Sequence, residues 1–246
     1  MGEVILEVLG CGDAFASGGS FNTCFYVHSE SFGFLMDCGA TSLLALKKHK
    51  ISTNDIDLIA ISHFHGDHFG GLPFFILDAS VQGRVKPLTI ISPPGGEQKV
   101  RDAISLLYPG SLDILDKFPI TFISYQAGKL VGTEEVKLEA FPVVHSAETL
   151  PHGLKIHFNN KIIGFSGDTS WTDELIHIAE NADLFICECN FYDLKMKGHL
   201  DYLTILQNQS RIACKKLLLT HFGEDMLNNL EKIEMDYAVD GRKIVV

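Results

Sequence analysis

Residues 61–71 constrain what this chain can fold into more than any other stretch. Their sequence is ISHFHGDHFGG, so three histidines and an aspartate fall within six residues. They overlap the end of the apolar run Leu58-Ile59-Ala60-Ile61, which predicts a buried strand. The fold must therefore place the end of this strand where four ligand-type side chains can meet a common site.

The spacing within this segment predicts halves of two adjacent metal sites. Side chains alternate along an extended chain, so His63 and His65 point the same way and can share one ion. Gly66 allows a sharp change of direction, after which Asp67 and His68 start a predicted helix and point to a second position. Imidazole nitrogens and carboxylate oxygens suit zinc at about 2.0–2.2 Å, and manganese or iron less selectively. The alternative is a solvated loop that happens to be rich in histidine.

The composition describes a globular chain without a membrane segment. A length of 246 residues is ample for a large core, and no linker or repeat divides it, so we expect a single domain over residues 1–246. The N-terminal MGEVIL lacks the zones of a signal peptide, and six scattered cysteines without framework spacing suggest reduced thiols. These features predict a cytoplasmic protein that does not bind membranes.

The charge limits which partners the chain can attract. A formal net charge of −11 repels polyanions at long range, and no basic patch or arm is evident in the sequence. We therefore expect a small anionic substrate, drawn in by bound metal cations, rather than a large nucleic acid.

Strand and helix patterns alternate along the chain. Strands are predicted at residues 3–9, 23–27, 33–36, 58–61, 87–92, 120–124, 135–142, 153–158, 161–165, 184–187, 216–219 and 242–246. Helices are predicted at residues 42–48, 67–77, 97–107, 171–180, 201–213, and from 227 to a little beyond 230.

Three more ligand-type residues stand at the ends of predicted strands. They are His145, Asp168 and His221. A lone histidine in such a place is usually polar surface, but in company with the 61–71 segment each becomes a candidate ligand. Asp168 follows a buried run and is suited to give one oxygen to each of two metals. Asp37 is either a turn former or a residue that orients a ligand.

The order His63-x-His65-x-Asp67-His68, then His145, Gly167-Asp168-Thr169 and His221, resembles the metallo-β-lactamase superfamily. The closer likeness is to its ribonuclease Z-like phosphodiesterase branch, and it extends over almost the whole chain. The resemblance implies an α/β fold, the four-layer αββα sandwich, with the metals at one edge of the sheets. It also implies two divalent metal ions, with Zn²⁺ first and Mn²⁺ or Fe²⁺ as alternatives, and a homodimer.

The resemblance assigns a role to each candidate residue. It gives the first metal to His63, His65 and His145, the second to Asp67, His68 and His221, and makes Asp168 the bridge. Cys187-Glu188-Cys189 and Gly198-His199-Leu200 resemble the segments that carry a glutamate and the catalytic histidine of the branch. Glu188, His199 and Asp67 are thus the expected catalytic residues. Without the resemblance, Glu188 is an ordinary acid and His199 a loop histidine.

One departure bears on the substrate. Members of the branch that trim the 3′ ends of tRNA precursors carry a long arm between the positions of His145 and Asp168, or at a related place. Here only residues 146–167 lie between them, and Asn159-Asn160 already forms a predicted hairpin turn. The leading hypothesis is a phosphodiesterase acting on a small or single-stranded substrate, with cyclic nucleotides as candidates. The alternatives are hydrolysis of a lactone, ester, thioester or β-lactam, tRNA processing, and a metal-binding scaffold without activity.

Overall fold

The computed structural model describes residues 2–246, which form two β-sheets packed face to face. The strands of the first sheet are β1 (Ile5–Gly10), β2 (Cys24–His28), β3 (Gly33–Met36), β4 (Leu58–Ala60), β5 (Leu88–Ser92), β6 (Ile120–Ser124) and β13 (Lys243–Val245). Those of the second are β7 (Leu130–Gly132), β8 (Val136–Pro142), β9 (His152–Phe158), β10 (Lys161–Phe165), β11 (Leu184–Glu188) and β12 (Leu217–Thr220).

Both sheets are mixed. The first has the order β13-β1-β2-β3-β4-β5-β6, antiparallel from β13 to β3 and parallel from β3 to β6. The second has the order β12-β11-β10-β9-β8-β7, with β10, β11 and β12 parallel. In the β9–β10 hairpin, Asn159 and Asn160 adopt φ values of 49° and 62°, as a two-residue type I′ turn requires. The predicted hairpin turn is confirmed.

Helices cover the outer face of each sheet. They are α1 (Ser42–Lys48), α2 (Gly66–Phe69), α3 (Leu72–Val81), α4 (Gly96–Leu107), α5 (Glu174–Ala179), α6 (Tyr202–Asn208) and α7 (Glu224–Leu227). One apolar core fills the space between the sheets, a second lies under α1, α3 and α4, and a third under α5, α6 and α7. Three cores between four layers confirm the α/β, four-layer αββα sandwich.

The helix predicted over residues 67–77 is wrong. Gly70 and Gly71 divide it into α2 and α3 because the chain passes close to another backbone segment there. The amide of Gly71 donates to the carbonyl of Cys38 at 2.8 Å, and a Cβ at Gly71 would lie 2.2 Å from the carbonyl oxygen of Gly39. Only glycine allows this approach.

Other boundaries also differ. The helix predicted from residue 227 lies instead at Glu224–Leu227, followed by a 3₁₀ turn at Leu230–Lys232. The helices predicted at residues 171–180 and 201–213 are shorter, and Asp201 caps α6 by accepting from the amide of Thr204 at 3.0 Å. The strand at Leu130–Gly132 was not predicted, because three residues are too few to show a period. Within residues 2–246, every helix is too short or too polar to cross a lipid bilayer.

Candidate metal centre

The first sheet brings four of the candidate ligands to one edge of the sandwich. Strand β4 ends at Ala60, and the loop that follows carries His63 and His65. The short helix α2 begins at once and carries Asp67 and His68 in its first turns, both buried. The sequence thus turns a buried strand directly into the site.

The second sheet supplies the other three from the ends of its strands. His145 follows β8, Asp168 follows β10, and His221 follows β12. Strands β10 and β12 run parallel to β11, so their carboxyl ends lie at the same edge. Side chains that are distant in sequence meet there, as is usual for sites in parallel sheets.

All seven predicted ligand residues lie in two adjoining groups. One contains His63, His65, His145 and Asp168, and the other contains Asp67, His68, Asp168 and His221. Asp168 belongs to both and is buried. The structure therefore places the aspartate predicted to bridge two ions between the two groups.

The distances of the first group suit a single cation. Nδ1 of His65 lies 3.3 Å from Nε2 of His63 and 2.9 Å from Nε2 of His145. Oδ2 of Asp168 lies 3.8 Å from Nε2 of His63 and 3.9 Å from Nε2 of His145. Two atoms that bind one zinc ion at about 2.0–2.2 Å can be no more than about 4.4 Å apart. All four distances meet this limit.

The second group has buried polar atoms that a cation would satisfy. Oδ2 of Asp67 and Oδ1 of Asp168 each lie 3.2 Å from Nε2 of His68, yet within residues 2–246 none of these three atoms has a partner in hydrogen-bond geometry. Nε2 of His221 lies 3.3 Å from Oδ2 of Asp168 and 3.9 Å from Oδ2 of Asp67. Buried polar atoms without partners are costly, and a bound cation would remove that cost. The residues present fit a divalent metal ion.

Contacts behind the histidines turn the correct nitrogen toward the site. Nδ1 of His68 lies 2.6 Å from Oδ2 of Asp37, and the Ser62 hydroxyl donates to the same oxygen at 2.7 Å. The Ser62 oxygen lies 3.0 Å from Nδ1 of His63 and so accepts its proton. One carboxylate therefore orients two histidines, one directly and one through Ser62, and leaves both Nε2 atoms to face the site.

Two further histidines are held in the same way. Nδ1 of His145 donates to the carbonyl oxygen of Gly198 at 2.7 Å, and Nδ1 of His221 lies 3.2 Å from the hydroxyl of Thr23. His221 has a φ of 63°, a left-handed conformation that is uncommon for residues other than glycine. Such conformations gather at functional sites, where surrounding contacts hold them in place.

Burial sets the charge of the first group. It lowers the pKa of His63 well below its ordinary value, and it also lowers the pKa of His65 and of His145. Neutral rings at pH 7 offer lone pairs to a cation without first losing a proton.

His68 behaves differently. Burial alone would lower its pKa, but the carboxylates of Asp168, Asp67 and Asp37 raise it well above the ordinary value. The pKa of Asp168 is held well below its ordinary value, because His221 and His68 outweigh the effect of burial. Without a cation, the second group therefore holds a proton on His68, and a metal ion would replace that proton.

Glu188 and His199 form a pair beside the two groups. Oε1 of the buried Glu188 lies 3.1 Å from Nδ1 of His199. Glu188 also accepts from the backbone amides of Thr169 at 2.6 Å and Leu200 at 3.2 Å, so it is fixed on both sides. The ring of His199 lies 4.9 Å from that of His145, between ring centroids. The predicted carboxylate and imidazole are thus in contact, next to the first group.

In this pair the proton resides on the imidazole, and Glu188 stays a carboxylate. Burial lowers the pKa of His199, but the hydrogen bond and charge of Glu188 raise it to about 9. His199 is then protonated at neutral pH, with Nδ1 engaged and Nε2 available to donate.

Several contacts that build the site were not predicted from the sequence. Ser62, Thr23 and Gly198 contact the histidines from behind, and the buried Tyr125 donates to the carbonyl of Ser62 at 2.9 Å. Ser62 could have been suspected because it adjoins His63. Thr23 and Tyr125 are distant from their partners in the chain, and no local pattern marks them.

Comparison with known proteins identifies the family. The sequence profile of the family described as "Anti-Pycsar protein Apyc1" matches residues 4–243. The chain belongs to this family. It is also a member of the metallo-β-lactamase superfamily in its ribonuclease Z-like branch, as the motifs predicted.

Relatives named ribonuclease Z resemble this Apyc1-family chain over nearly its whole length. The protein from Clostridium acetobutylicum is 24% identical, with 97% of this chain and 96% of the relative covered. The protein from Ignicoccus hospitalis is 26% identical, with 97% of each covered. The chain is a metal-dependent hydrolase of nuclease or phosphodiesterase type.

Solved structures show the same fold. The metallo-β-lactamase fold protein YhfI from Bacillus subtilis superposes with a TM-score of 0.81 at 22% identity, covering 99% of both chains. The short form of human tRNase Z gives 0.77 at 23% identity, covering 98% of both. Zn²⁺-bound PqqB from Methylobacterium extorquens gives 0.71 at 12% identity, covering 98% of this chain and all of that one.

Proposed function

We propose that the chain is a two-metal phosphodiesterase acting on a small or single-stranded phosphodiester, with cyclic nucleotides as candidate substrates. The observation that carries this proposal is the Glu188–His199 pair beside the two ligand groups. Two-metal hydrolysis of many ester classes needs only the metals. A protonated imidazole held by a carboxylate contributes most when the leaving group is a poor one, such as a sugar alkoxide.

The cations and the side chains have separate tasks in this proposal. We assign one cation, most simply Zn²⁺, to each ligand group, where the pair would lower the pKa of a water and bind phosphate oxygens. Asp168, which belongs to both groups, would hold both cations, and Asp67 would accept a proton from the attacking water. Asp37 keeps Nε2 of His68 toward the site. His199 donates the proton on Nε2 to the leaving oxygen while Glu188 keeps its Nδ1 engaged.

Charge and chain length support a small substrate. The net charge of −11 opposes the long-range attraction of a polyanion. The alignment with the Clostridium acetobutylicum protein spans 302 positions, more than the 246 residues of this chain, so that relative has insertions absent here. In the structure, a plain β-hairpin fills most of the interval between His145 and Asp168.

A minimal phosphodiester tests the proposal. Zinc- or manganese-loaded protein should hydrolyse bis(p-nitrophenyl) phosphate, and Asp168→Ala should abolish the reaction because it removes the residue shared by both groups. A panel of cyclic and linear nucleotides would then rank the natural candidates. Absence of turnover by the metal-loaded wild type would reject the proposal.

Processing of tRNA is the second candidate, and the ribonuclease Z relatives favour it. Cleavage of a precursor tRNA at its 3′ trailer, at ordinary salt concentration, would support it. Hydrolysis of lactones, esters or β-lactams is a third, but it gives Glu188 and His199 no role. A lactone panel run beside a phosphodiester panel distinguishes it. The predicted cytoplasmic location, homodimer and single domain stay predictions.

A further inference from the structure

A cavity of about 380 Å³ lies on one side of His199. Its volume falls in the range of small-molecule sites, which is about 300–1,000 Å³. His199 lines it together with Trp171 and the loop Met196–Lys197, and Leu200 also contributes. His199, the proposed proton donor, therefore forms part of the cavity wall. None of the seven ligand residues of the metal centre lines the cavity.

One part of the wall is apolar and suited to a flat ring. Trp171 is half-buried, with the guanidinium of Arg211 5.7 Å from its ring centroid. Met196 is 47% exposed and Leu200 is buried. Indole and thioether groups pack well on planar aromatic ligands, and stacking on tryptophan accepts any nucleobase.

The other part of the wall carries an exposed amine. Lys195 is neutralised, since its amine lies 2.8 Å from both carboxylate oxygens of Asp201. The carboxylate of Glu188 neutralises the positive charge of protonated His199 in the same way. Lys197 is exposed and makes no hydrogen bond or ion pair within residues 2–246, although its charge helps to lower the pKa of the exposed Glu148. In a chain with a net charge of −11, this exposed amine is a local attraction for an anion.

The position of His199 decides which half of a substrate reaches the cavity. Nδ1 is engaged by Glu188, so the donated proton comes from Nε2. The leaving oxygen must then lie about 2.6–3.2 Å from Nε2. The group bonded to that oxygen must then lie beside His199, which also lines the cavity.

We propose that this cavity binds the leaving half of a linear phosphodiester, a nucleoside whose base packs on Trp171 and Met196, with Lys197 at the rim attracting the negative charge of the phosphate. The inference rests on the proposed phosphodiesterase function. In the step concerned, the water oxygen bonds to phosphorus and the bond from phosphorus to the nucleoside oxygen breaks. That oxygen takes the proton from Nε2 of His199.

Equilibrium binding gives a test that does not depend on turnover. Trp171 is the single tryptophan of the chain, so its fluorescence reports directly on the cavity. Titration of the zinc-loaded protein with adenosine 5′-monophosphate or uridine 5′-monophosphate should quench the emission to saturation. Lys197→Glu should raise the Kd about ten-fold, the expected effect of reversing one charge close to an anion.

A lysine elsewhere supplies the matched control. Lys137→Glu makes the same charge change on an exposed residue of β8 outside the cavity and should leave the Kd unchanged. Unchanged emission of the wild type on titration would overturn the inference. Equal Kd values for Lys197→Glu and Lys137→Glu would do so as well.

Two substrates with the nucleoside on opposite sides test the direction of binding. Thymidylyl-(3′→5′)-thymidine loses a nucleoside, whereas thymidine 5′-(p-nitrophenyl phosphate) loses nitrophenolate and keeps its nucleoside. Trp171→Ala should lower the ratio of kcat/KM for the first substrate to that for the second about ten-fold, as expected for lost base stacking. Trp171→Phe, which keeps an aromatic face, should restore most of the ratio.

The outcomes separate the two proposals. A wild type that fails on bis(p-nitrophenyl) phosphate removes the phosphodiesterase function and the cavity's role with it. A wild type that cleaves this ester but not the dinucleotide overturns only the inference on the cavity. An unchanged ratio in Trp171→Ala does the same.

Discussion

The carboxylate of Asp37 lies 2.6 Å from Nδ1 of His68, on the side of the ring that faces away from the ligand groups. Both residues are buried, and burial raises the pKa of Asp37 although His68 opposes the rise. A buried carboxylate that accepts from an imidazole and from Ser62 is a costly arrangement unless it maintains a site. The relationship explains how one residue outside the ligand groups controls the orientation of two residues inside them.

Removing this support should weaken metal binding. We expect Asp37→Ala to raise the Kd for zinc about 10- to 100-fold, the usual cost of losing a partner behind a ligand histidine. Asp37→Asn, which can still accept from His68, should fall between the wild type and the alanine variant. The measurement is a competition titration against a chromophoric chelator.

Asp183 provides the control for this experiment. It is also a buried carboxylate with a backbone partner, the amide of Ile162 at 2.8 Å. It precedes the amino end of β11, however, whereas the ligand groups lie at the carboxyl ends of the parallel strands β10, β11 and β12. Asp183→Ala should leave the zinc Kd unchanged. If Asp37→Ala binds zinc as tightly as Asp183→Ala, Asp37 does not orient the site.

Gly198 should resist substitution because it contacts a ligand histidine. Its φ is +91°, and an added Cβ would lie 2.8 Å from Nδ1 of His145. Gly198→Ala should displace His145 and lower kcat/KM for bis(p-nitrophenyl) phosphate at least ten-fold. Gly128→Ala is the matched control, since Gly128 has a φ of +71° and no atom of residues 2–246 lies within 4 Å of the added Cβ.

Both glycine variants bear a backbone cost of about 1–2 kcal/mol for a left-handed alanine. Thermal denaturation should therefore show that this backbone cost lowers the stability of both variants by a similar amount. The fall in activity should be confined to Gly198→Ala. Comparable activity in the two variants would mean that the contact between Gly198 and His145 is not needed for activity.

The Glu188–His199 pair predicts a particular pH dependence. Glu188 raises the pKa of His199 to about 9 against the effect of burial, so the proton donor is lost only as the pH rises through that value. Activity should hold at neutral pH and fall on the alkaline side. In Glu188→Gln the charge is gone, so the pKa of His199 drops and the alkaline limb should move down by at least one pH unit.

The profile to compare is kcat/KM against pH for a substrate with an alkoxide leaving group. Glu231→Gln makes the same change on an exposed residue and should reproduce the wild-type profile. An alkaline limb that stays in place in Glu188→Gln would show that His199 is not the proton donor.

Metal binding should also stabilise the fold. A ligand that binds only the folded chain, at about a thousand times its Kd, adds about 4 kcal/mol to the free energy of unfolding. For a chain of this size we expect a rise of about 10 °C in Tm on adding zinc to chelator-treated protein. Asp168→Ala should show a much smaller rise, measured by scanning calorimetry. Equal rises in the two proteins would place the stabilising metal elsewhere.

Much of the metal centre could be predicted from the sequence because strand ends carry it. His63, His65, Asp67 and His68 are contiguous, so their proximity is local. His145, Asp168 and His221 each follow an apolar run, and the resemblance to a known superfamily placed those runs side by side. The structure brings all seven together, and their role as ligands stays a prediction.

The parts that escaped prediction depend on contacts between distant segments. Thr23 contacts His221 across 198 positions of sequence, and no pattern in either segment predicts this contact. The break between α2 and α3 was visible as Gly70-Gly71, but its cause, the approach of the backbone at Cys38, was not. The cavity beside His199 is formed by loops, whose course the hydrophobic period does not determine.

The metal content of the purified protein tests the central claim most directly. Mass spectrometry of zinc-loaded protein after exhaustive dialysis should give two ions per chain for the wild type, and fewer than one for Asp168→Ala. A single substitution should remove more than one ion only if Asp168 contributes to both metal sites. Wild-type protein that retains no zinc, or an Asp168→Ala variant that retains two ions, would contradict the account.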